Sequence, residues 1–345
     1  MHLNRVRNGV KNGGFSGIGS TKGSFKPMRL LILTVAILFS YSAFGQYSVE
    51  FSQYMLNLNT INPAAAGGND MMNIFGTFRS QYAVYEGTSS SFLEGMPITY
   101  VVGADIGFTI GKTKHGASAG FYDNRVGLFR HQNVNIGYAY RFPILNGHLS
   151  GGFQASFTTV SYDTKRLHEV ESDYHSSGDP VIAQTEGNDF KMDLGVGFLF
   201  QNPDWFAGVS LLNILAPEYD LGKQTLYNKT RNLYFMGGYN VKFGNPLYRL
   251  KLSGEINTDF ITWTGMANML VDYKEKFWGG VGYRVDGAVT FQIGFKLFNA
   301  LVLGYSYDLP TSKLVRTAGC HEVVLRYSFS IEKANKSQYK SIRFL

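Results

Sequence analysis

The chain has 345 residues, 44% hydrophobic and only 17% charged, with 40 glycines, 27 phenylalanines and 22 tyrosines. Its mean hydropathy of −0.10 excludes a bundle of membrane helices, whereas strands with one apolar and one polar face average to such a value. Six of the basic residues, Arg5, Arg7, Lys11, Lys22, Lys26 and Arg29, lie in residues 1–45 with no acid; without that segment the formal charge falls from +7 to +1, which leaves no basic footprint for a nucleic-acid partner.

In chain order, an export signal comes first. Lys26 and Arg29 flank Met28, an apolar run extends from Leu30 to Phe39, and Ala43-Phe44-Gly45 puts small residues where cleavage before Gln46 needs them. The run is too short and wrongly flanked for a spanning helix. Residues 28–45 therefore read as a cleaved signal peptide, and 1–27 as an over-called start or an extended n-region. Cys320 is the single cysteine, which excludes an internal disulfide, and no cysteine follows the apolar run as a lipoprotein would need. Gln46–Met71, broken by Asn62-Pro63-Ala64 and Gly67-Gly68, reads as an irregular periplasmic lead-in.

From 72 to 330 apolar side chains recur at every second position. Met192, Leu194, Val196, Phe198 and Phe200 alternate with Lys191, Asp193, Gly195 and Gly197. Leu250, Leu252 and Ile256 alternate with Lys251, Ser253, Glu255 and Asn257, and Val323, Leu325, Tyr327 and Phe329 with Glu322, Val324, Arg326 and Ser328. The pattern predicts about fourteen strands, at 72–82, 98–110, 116–125, 131–142, 147–161, 191–201, 205–212, 231–243, 247–258, 263–273, 277–285, 288–297, 300–308 and 320–330. A soluble sandwich also alternates, but its strands are shorter, about 5–6 residues, than those of a tilted membrane crossing. Every backbone N–H and C=O must be paired in hydrocarbon, so a sheet that crosses it closes. The fold class is thus all-β, a transmembrane antiparallel barrel of outer-membrane type over 72–330.

Connections after even strands are short, while those after odd strands include long ones at 83–97, 162–190, 213–230 and 309–319. This asymmetry predicts periplasmic turns, longer outer loops and both termini in the periplasm, with 331–345 a basic periplasmic tail carrying Lys333, Lys336, Lys340 and Arg343. Asp286-Gly287 carries a type I′ hairpin signature. Trp205, Trp263 and Trp278 near strand ends suit an interfacial girdle.

Closure puts a mixed set of charges in the lumen: Arg125, Arg141, Asp193, Lys242, Lys251, Glu255, Lys296, Glu322 and Arg326. They line a polar channel or pair across the interior, and their mixed signs argue against strong ion selectivity. Gln53, Tyr54, Asn62, Pro63 and Ala64 sit below the first strand or fold up into the barrel, as a docking strip, a lumenal plug or a cap on the rim. His321 and Glu322 beside Cys320 cannot converge on a substrate, since successive strand residues face opposite ways. The stretch 168–179 is rich in His, Glu and Asp without a recognisable metal-ligand spacing, and reads as a solvated outer loop. No P-loop, GxSxG, HExxH or CxxC pattern occurs, so no catalytic, cofactor or metal site is predicted.

Two stretches carry a family resemblance. Phe51-Ser52-Gln53-Tyr54-Met55 is followed by Ile61-Asn62-Pro63-Ala64, Gly67 and Phe78-Arg79-Ser80-Gln81; near the other end, Leu303-Gly304-Tyr305-Ser306-Tyr307-Asp308 precedes Gly319-Cys320-His321-Glu322-Val323. With Leu212-Asn213 and Pro217 between them, the mature chain resembles the PorP/SprF family of type IX secretion components. Tyr82 stands where the family commonly has Trp, and Cys320 where it has Ser. The resemblance implies an outer-membrane barrel without catalytic activity. It would work with a periplasmic ring-forming lipoprotein and that lipoprotein's partner, and would help secrete or anchor particular C-terminal-domain cargo such as gliding adhesins. Gln53, Tyr54, Asn62, Pro63, Ala64, Arg79 and Gln81 are the candidate partner-binding residues. The competing function for such a barrel is a porin-like diffusion channel or solute transporter.

Overall fold

The structure is a computed structural model that describes residues 50–82, 96–162, 187–221, 226–311 and 317–330. The segment read from sequence as a signal peptide, the 168–179 stretch and the tail lie outside the described residues. Alternating strands satisfy their backbone groups only through neighbours, and here each finds two. The wall is one closed antiparallel barrel of fourteen strands. Its strands are β1 (Met72–Ser80), β2 (Ile98–Ile110), β3 (Thr113–Val126), β4 (Phe129–Ile144), β5 (Gly147–Tyr162), β6 (Gly187–Gln201) and β7 (Trp205–Leu212), followed by β10 (Asn232–Lys242), β11 (Tyr248–Thr258), β12 (Trp263–Tyr273), β13 (Phe277–Arg284), β14 (Ala288–Leu297), β15 (Leu301–Pro310) and β16 (Cys320–Phe329). Between β7 and β10 the connection forms a small hairpin of β8 (Glu218–Asp220) and β9 (Leu226–Asn228). The barrel closes where β1 pairs β16, from Met72 opposite Phe329 to Ser80 opposite His321.

The wall agrees with the alternation in the sequence, with local differences, among them β6, which starts at Gly187 and not at 191. β3 and β4 are longer than expected because each of their turns needs only two residues, Gly111-Lys112 and Gly127-Leu128, whose glycines take positive φ. Asp286-Gly287 is not a type I′ turn. Among the non-glycines of this turn none has positive φ; Gly287 alone does, and its N–H donates to the Arg284 carbonyl. The chain thus makes a three-residue loop closed by a left-handed glycine. Both central residues are left-handed instead at Leu145-Asn146, Lys274-Glu275 and Phe298-Asn299, all at the short-turn end.

The outward face carries Val102, Phe153, Phe198, Phe235, Ile256, Phe291, Ile293 and Leu325 exposed in a continuous apolar band, a surface suited to hydrocarbon. Trp205 belongs to it, whereas Trp278 does not. Trp278 points inward and is buried against Gly294, where an added Cβ would lie 2.0 Å from the indole. The girdle reading therefore fails for Trp278, because residue 278 has the inward parity of β13.

Residues 50–71, read from sequence as a periplasmic lead-in, lie inside the barrel. The segment makes three short 3₁₀ turns, Tyr54–Leu56, Leu58–Thr60 and Pro63–Ala65. It crosses the lumen from the long-loop end, where Ser52 meets Asp308 and Glu322, to the short-turn end, where Asp70 meets Lys114 and Arg141. Glu50, the first described residue, therefore sits at the mouth opposite the short turns, and of the two sequence alternatives for this segment the described residues take the one that folds up into the barrel. Its path gives the protein its core: Tyr54, Met55, Leu56, Ile61 and Ala64 pack on inward-facing Phe75, Val101, Tyr234, Met236, Met266, Leu270 and Val324. A second insert closes in from the long-loop end, where Tyr219 and Leu221 bury against Val160 beside Phe129, Tyr162 and Tyr227.

Ile293 is 62% exposed near the middle of β14. Ile293→Lys is expected to cost about 2–4 kcal/mol in a bilayer, read as a lower urea midpoint for unfolding from lipid vesicles; an unchanged midpoint would remove lipid from that face.

Candidate functional site

Among the described residues, charge is concentrated out of water in the lumen. At its long-loop half, Arg79 projects inward near the end of β1, and its register partner across the closing seam is Glu322 at the start of β16. One guanidinium nitrogen donates to Glu322 Oε2 at 3.0 Å and to Ser52 Oγ at 2.8 Å, and the other donates to Asp308 Oδ2 at 2.6 Å. Arg79, Asp308 and Glu322 are all essentially without solvent contact. Asp308 accepts in addition from Ser52 Oγ at 2.7 Å, Thr290 Oγ1 at 2.8 Å and Arg284 at 3.3 Å. Arg284 also pairs with Asp286 at 2.6 Å and with Glu50 at 3.4 Å. Burial pushes the Glu50 carboxyl up from its ordinary value, and the Arg284 charge pulls against that. The ion pairs of Arg79 are held by geometry, because Asp308 and Glu322 spend their remaining lone pairs on further donors.

The inner segment is fixed by the wall at both ends and along its length. Ser52 N–H and Gln53 N–H donate to the two oxygens of Glu322 at 2.8 and 2.9 Å. The Ser52 carbonyl accepts from Asn268 at 3.4 Å and Gln292 at 3.2 Å, and the Leu56 carbonyl from Arg326 at 2.9 Å. Asn62 caps the third turn by accepting from Ala64 N–H at 2.9 Å, and its amide donates to the Phe198 carbonyl at 3.1 Å. Pro63 at the first position of that turn gives up an N–H the turn would leave unpaired. Gly67 N–H donates to Asp105 at 3.0 Å, and Asp70 pairs with Arg141 at 2.6 Å. Room for the backbone comes from wall glycines: a Cβ on Gly152 would lie 2.5 Å from Ala64 N, and one on Gly116 2.0 Å from the Ala66 carbonyl oxygen.

Residues 43–327 match the family described as type IX secretion system membrane protein PorP/SprF. The chain belongs to the PorP/SprF family. Its seam arginine and inner segment fall on the Phe51–Met55, Ile61–Ala64 and Phe78–Gln81 stretches that carried the resemblance. No curated protein sequence matches the chain. Among solved structures it is similar to the Ralstonia pickettii toluene transporter TbuX, at 10% identity over 80% of this chain and 92% of that one, with a TM-score of 0.47. It is also similar to the CymD monoaromatic hydrocarbon channel, at 12% identity over 83% of this chain and 94% of that one, with a TM-score of 0.44. Identities this low carry no substrate or partner to the PorP/SprF protein.

The sequence-predicted residues divide clearly by place. Gln53, Tyr54, Asn62, Pro63, Ala64 and Arg79 are all buried in the lumen and brought together by one segment and its wall, whereas Gln81 lies half-buried at the long-loop rim, its N–H donating to the Pro97 carbonyl at 2.9 Å. Of the charges read as lumenal, Arg141, Asp193, Lys251, Glu255, Glu322 and Arg326 are buried inside. Lys251 pairs with Asp272 at 2.9 Å, and Asp193 accepts from Leu194 N–H and Leu215 N–H at 2.8 and 2.9 Å. Lys242 and Lys296 stand at the short-turn mouth, Lys242 exposed and bridged to Asp204. Arg125 is not lumenal. It has the outward parity of exposed Phe121 and pairs at 3.5 Å with Asp123, which Arg130 also holds. Sequence reasoning quoted Ser52 and Asp308 only within the motifs of the resemblance and gave neither a site role, and it did not single out Arg284 and Gln292, which keep the alternation that located the strands.

Two substitutions test this arrangement. Arg79→Leu leaves Asp308 and Glu322 short of their shared cation, and a stability loss of about 3–5 kcal/mol is expected in the same urea assay. Gly152→Val drives a side chain into Pro63-Ala64; faster hydrogen exchange confined to residues 62–66 is expected, and unchanged exchange there would mean the segment does not seat on β5.

Proposed function

We propose that this PorP/SprF protein is a non-enzymatic accessory of type IX secretion that binds the periplasmic machinery and helps a subset of C-terminal-domain cargo, gliding adhesins among them, to reach the cell surface. One observation carries the reading: the lumen is filled by the chain itself, from Glu50 at one mouth to Asp70 at the other. A diffusion pore needs a continuous polar path, and Tyr54, Met55, Leu56 and Ile61 stand buried across this one. A barrel spent in this way acts through its mouths and loops. The short turns face the periplasm in this reading and present the docking side for a ring-forming lipoprotein and its partner; the longer loops face the cargo outside.

Deletion of the gene is expected to strand a subset of cargo inside the cell while the rest still reaches the surface; undiminished display of every type IX cargo and adhesin would overturn the proposal. A tagged barrel extracted in detergent should bring a periplasmic lipoprotein with it. Steady conductance by the purified wild-type barrel in planar bilayers, without partners, would favour a diffusion channel instead.

A further inference from the structure

The wall holds the inner segment through side chains, Ser52, Asn57 and Asn62 among them, and through a series of bonds to its main chain. Glu322 accepts from two successive amides, Ser52 and Gln53. Asn268 and Gln292 donate to the Ser52 carbonyl, Arg326 to the Leu56 carbonyl and Ser210 Oγ to the Ile61 carbonyl, and Asp105 accepts from the Gly67 amide. The side-chain amide of Gln53, by contrast, is buried with neither atom hydrogen-bonded. Glycines at 116 and 152 let the wall approach backbone and not side chains. Main-chain groups are common to all sequences, so a surface that reads them binds polypeptide as a class, with apolar contacts adding affinity.

We infer that the inner wall is a binding site for polypeptide backbone, occupied in this state by the chain's own residues 50–67 and open to a second peptide of small and apolar residues when that segment leaves. Met71 is the segment's covalent junction with the wall, at the start of β1. In the unoccupied barrel, Glu322, Asn268, Gln292, Arg326 and Asp105 would face water across the lumen with those bonds unmade, and an incoming chain with two adjacent free N–H groups restores them. The secretion reading supplies only the source of such a peptide, a stretch of cargo; the site itself does not depend on it.

The test uses the full chain with a protease site inserted between Gly68 and Asn69, folded first and cut afterwards, so that folding is never asked of the wall alone. A fluorescent peptide of residues 50–67 should then exchange into the cut barrel. The same peptide with Gln53→Ala should exchange equally well, whereas N-methylation at Ser52 and Gln53, which removes the two N–H donors to Glu322, should weaken binding on the order of hundredfold. In the uncut natural chain, Asn268→Ala with Gln292→Ala should speed hydrogen exchange at Ser52 and Gln53 by about tenfold. Equal binding of the N-methylated peptide, failure of any peptide to exchange, or unaltered hydrogen exchange in the double variant would each overturn the inference. None of these outcomes bears on whether cargo fails to appear when the gene is deleted, so the two readings fall separately.

Discussion

Arg79 has no solvent at its guanidinium, and a charge in that position must be met by protein. The groups that meet it come from three places: Ser52 in the inner segment, Asp308 on β15 and Glu322 on β16. Leaving one member of such a set unpaired costs several kcal/mol. Segment, first strand and last strands are therefore held to one mutual position, and the seam that closes the barrel is also the seat of what fills it. The other contacts along the segment follow from this anchoring at its first residues, with Arg326, Ser210 and Asp105 taking up carbonyls and amides as the chain descends.

Inside and outside of the wall obey different solvents. Outward positions meet hydrocarbon, which accepts any apolar side chain of roughly the right size, so Val196, Phe198, Leu252, Ile256, Phe291 and Ile293 form a monotonous series. Inward positions meet one particular irregular chain. Each is then specified by a local partner: glycine opposite Ala64 and Ala66, phenylalanine at 75 against the apolar turns, glutamate at 322 under two amides. The filling also explains why so many charges can be buried in one barrel. Water need not solvate them when carboxylate, guanidinium and main chain are already matched, as they are around Asp308.

That division sets what could be read from the sequence. Strand number, most boundaries and the lipid-facing residues were legible, because a period of two imposed by hydrocarbon is a regular signal. The closing arginine and the Asn62-Pro63-Ala64 turn were legible as residues belonging together, though not as to where. What escaped was the partner set: Asp308, Arg284 and Gln292 sit at ordinary inward positions of β15, β13 and β14, and Ser52 lies in the inner segment that they face. A usable signal for the filled lumen did exist in the inward series. Phe75, Val101, Tyr234, Met236, Met266, Leu270 and Val324 occupy the polar face of their strands, and an aqueous pore would have no use for them. Arg125 and Trp278 were misplaced. Arg125 shares the outward parity of Phe121 on β3, and Trp278 was read from its place near a strand end, whereas its parity on β13 is inward.

Chain order adds a constraint on how this state is reached. Ser52 and Arg79 are separated from Asp308 and Glu322 by 229 to 270 residues in the bonds they make, so the network cannot exist before the last two strands arrive. Until then Arg79 has no reason to leave water, and the apolar turns of the inner segment face a wall that is still open. Pairing of β16 with β1 brings Glu322 opposite Arg79 and, through the same carboxylate, captures the Ser52 and Gln53 amides. Closure and first filling are thus coupled in folding. Once the wall is closed, loss of the segment leaves Glu322, Asn268 and Gln292 to water in the lumen, and a chain that takes its place exchanges that water for the same main-chain bonds.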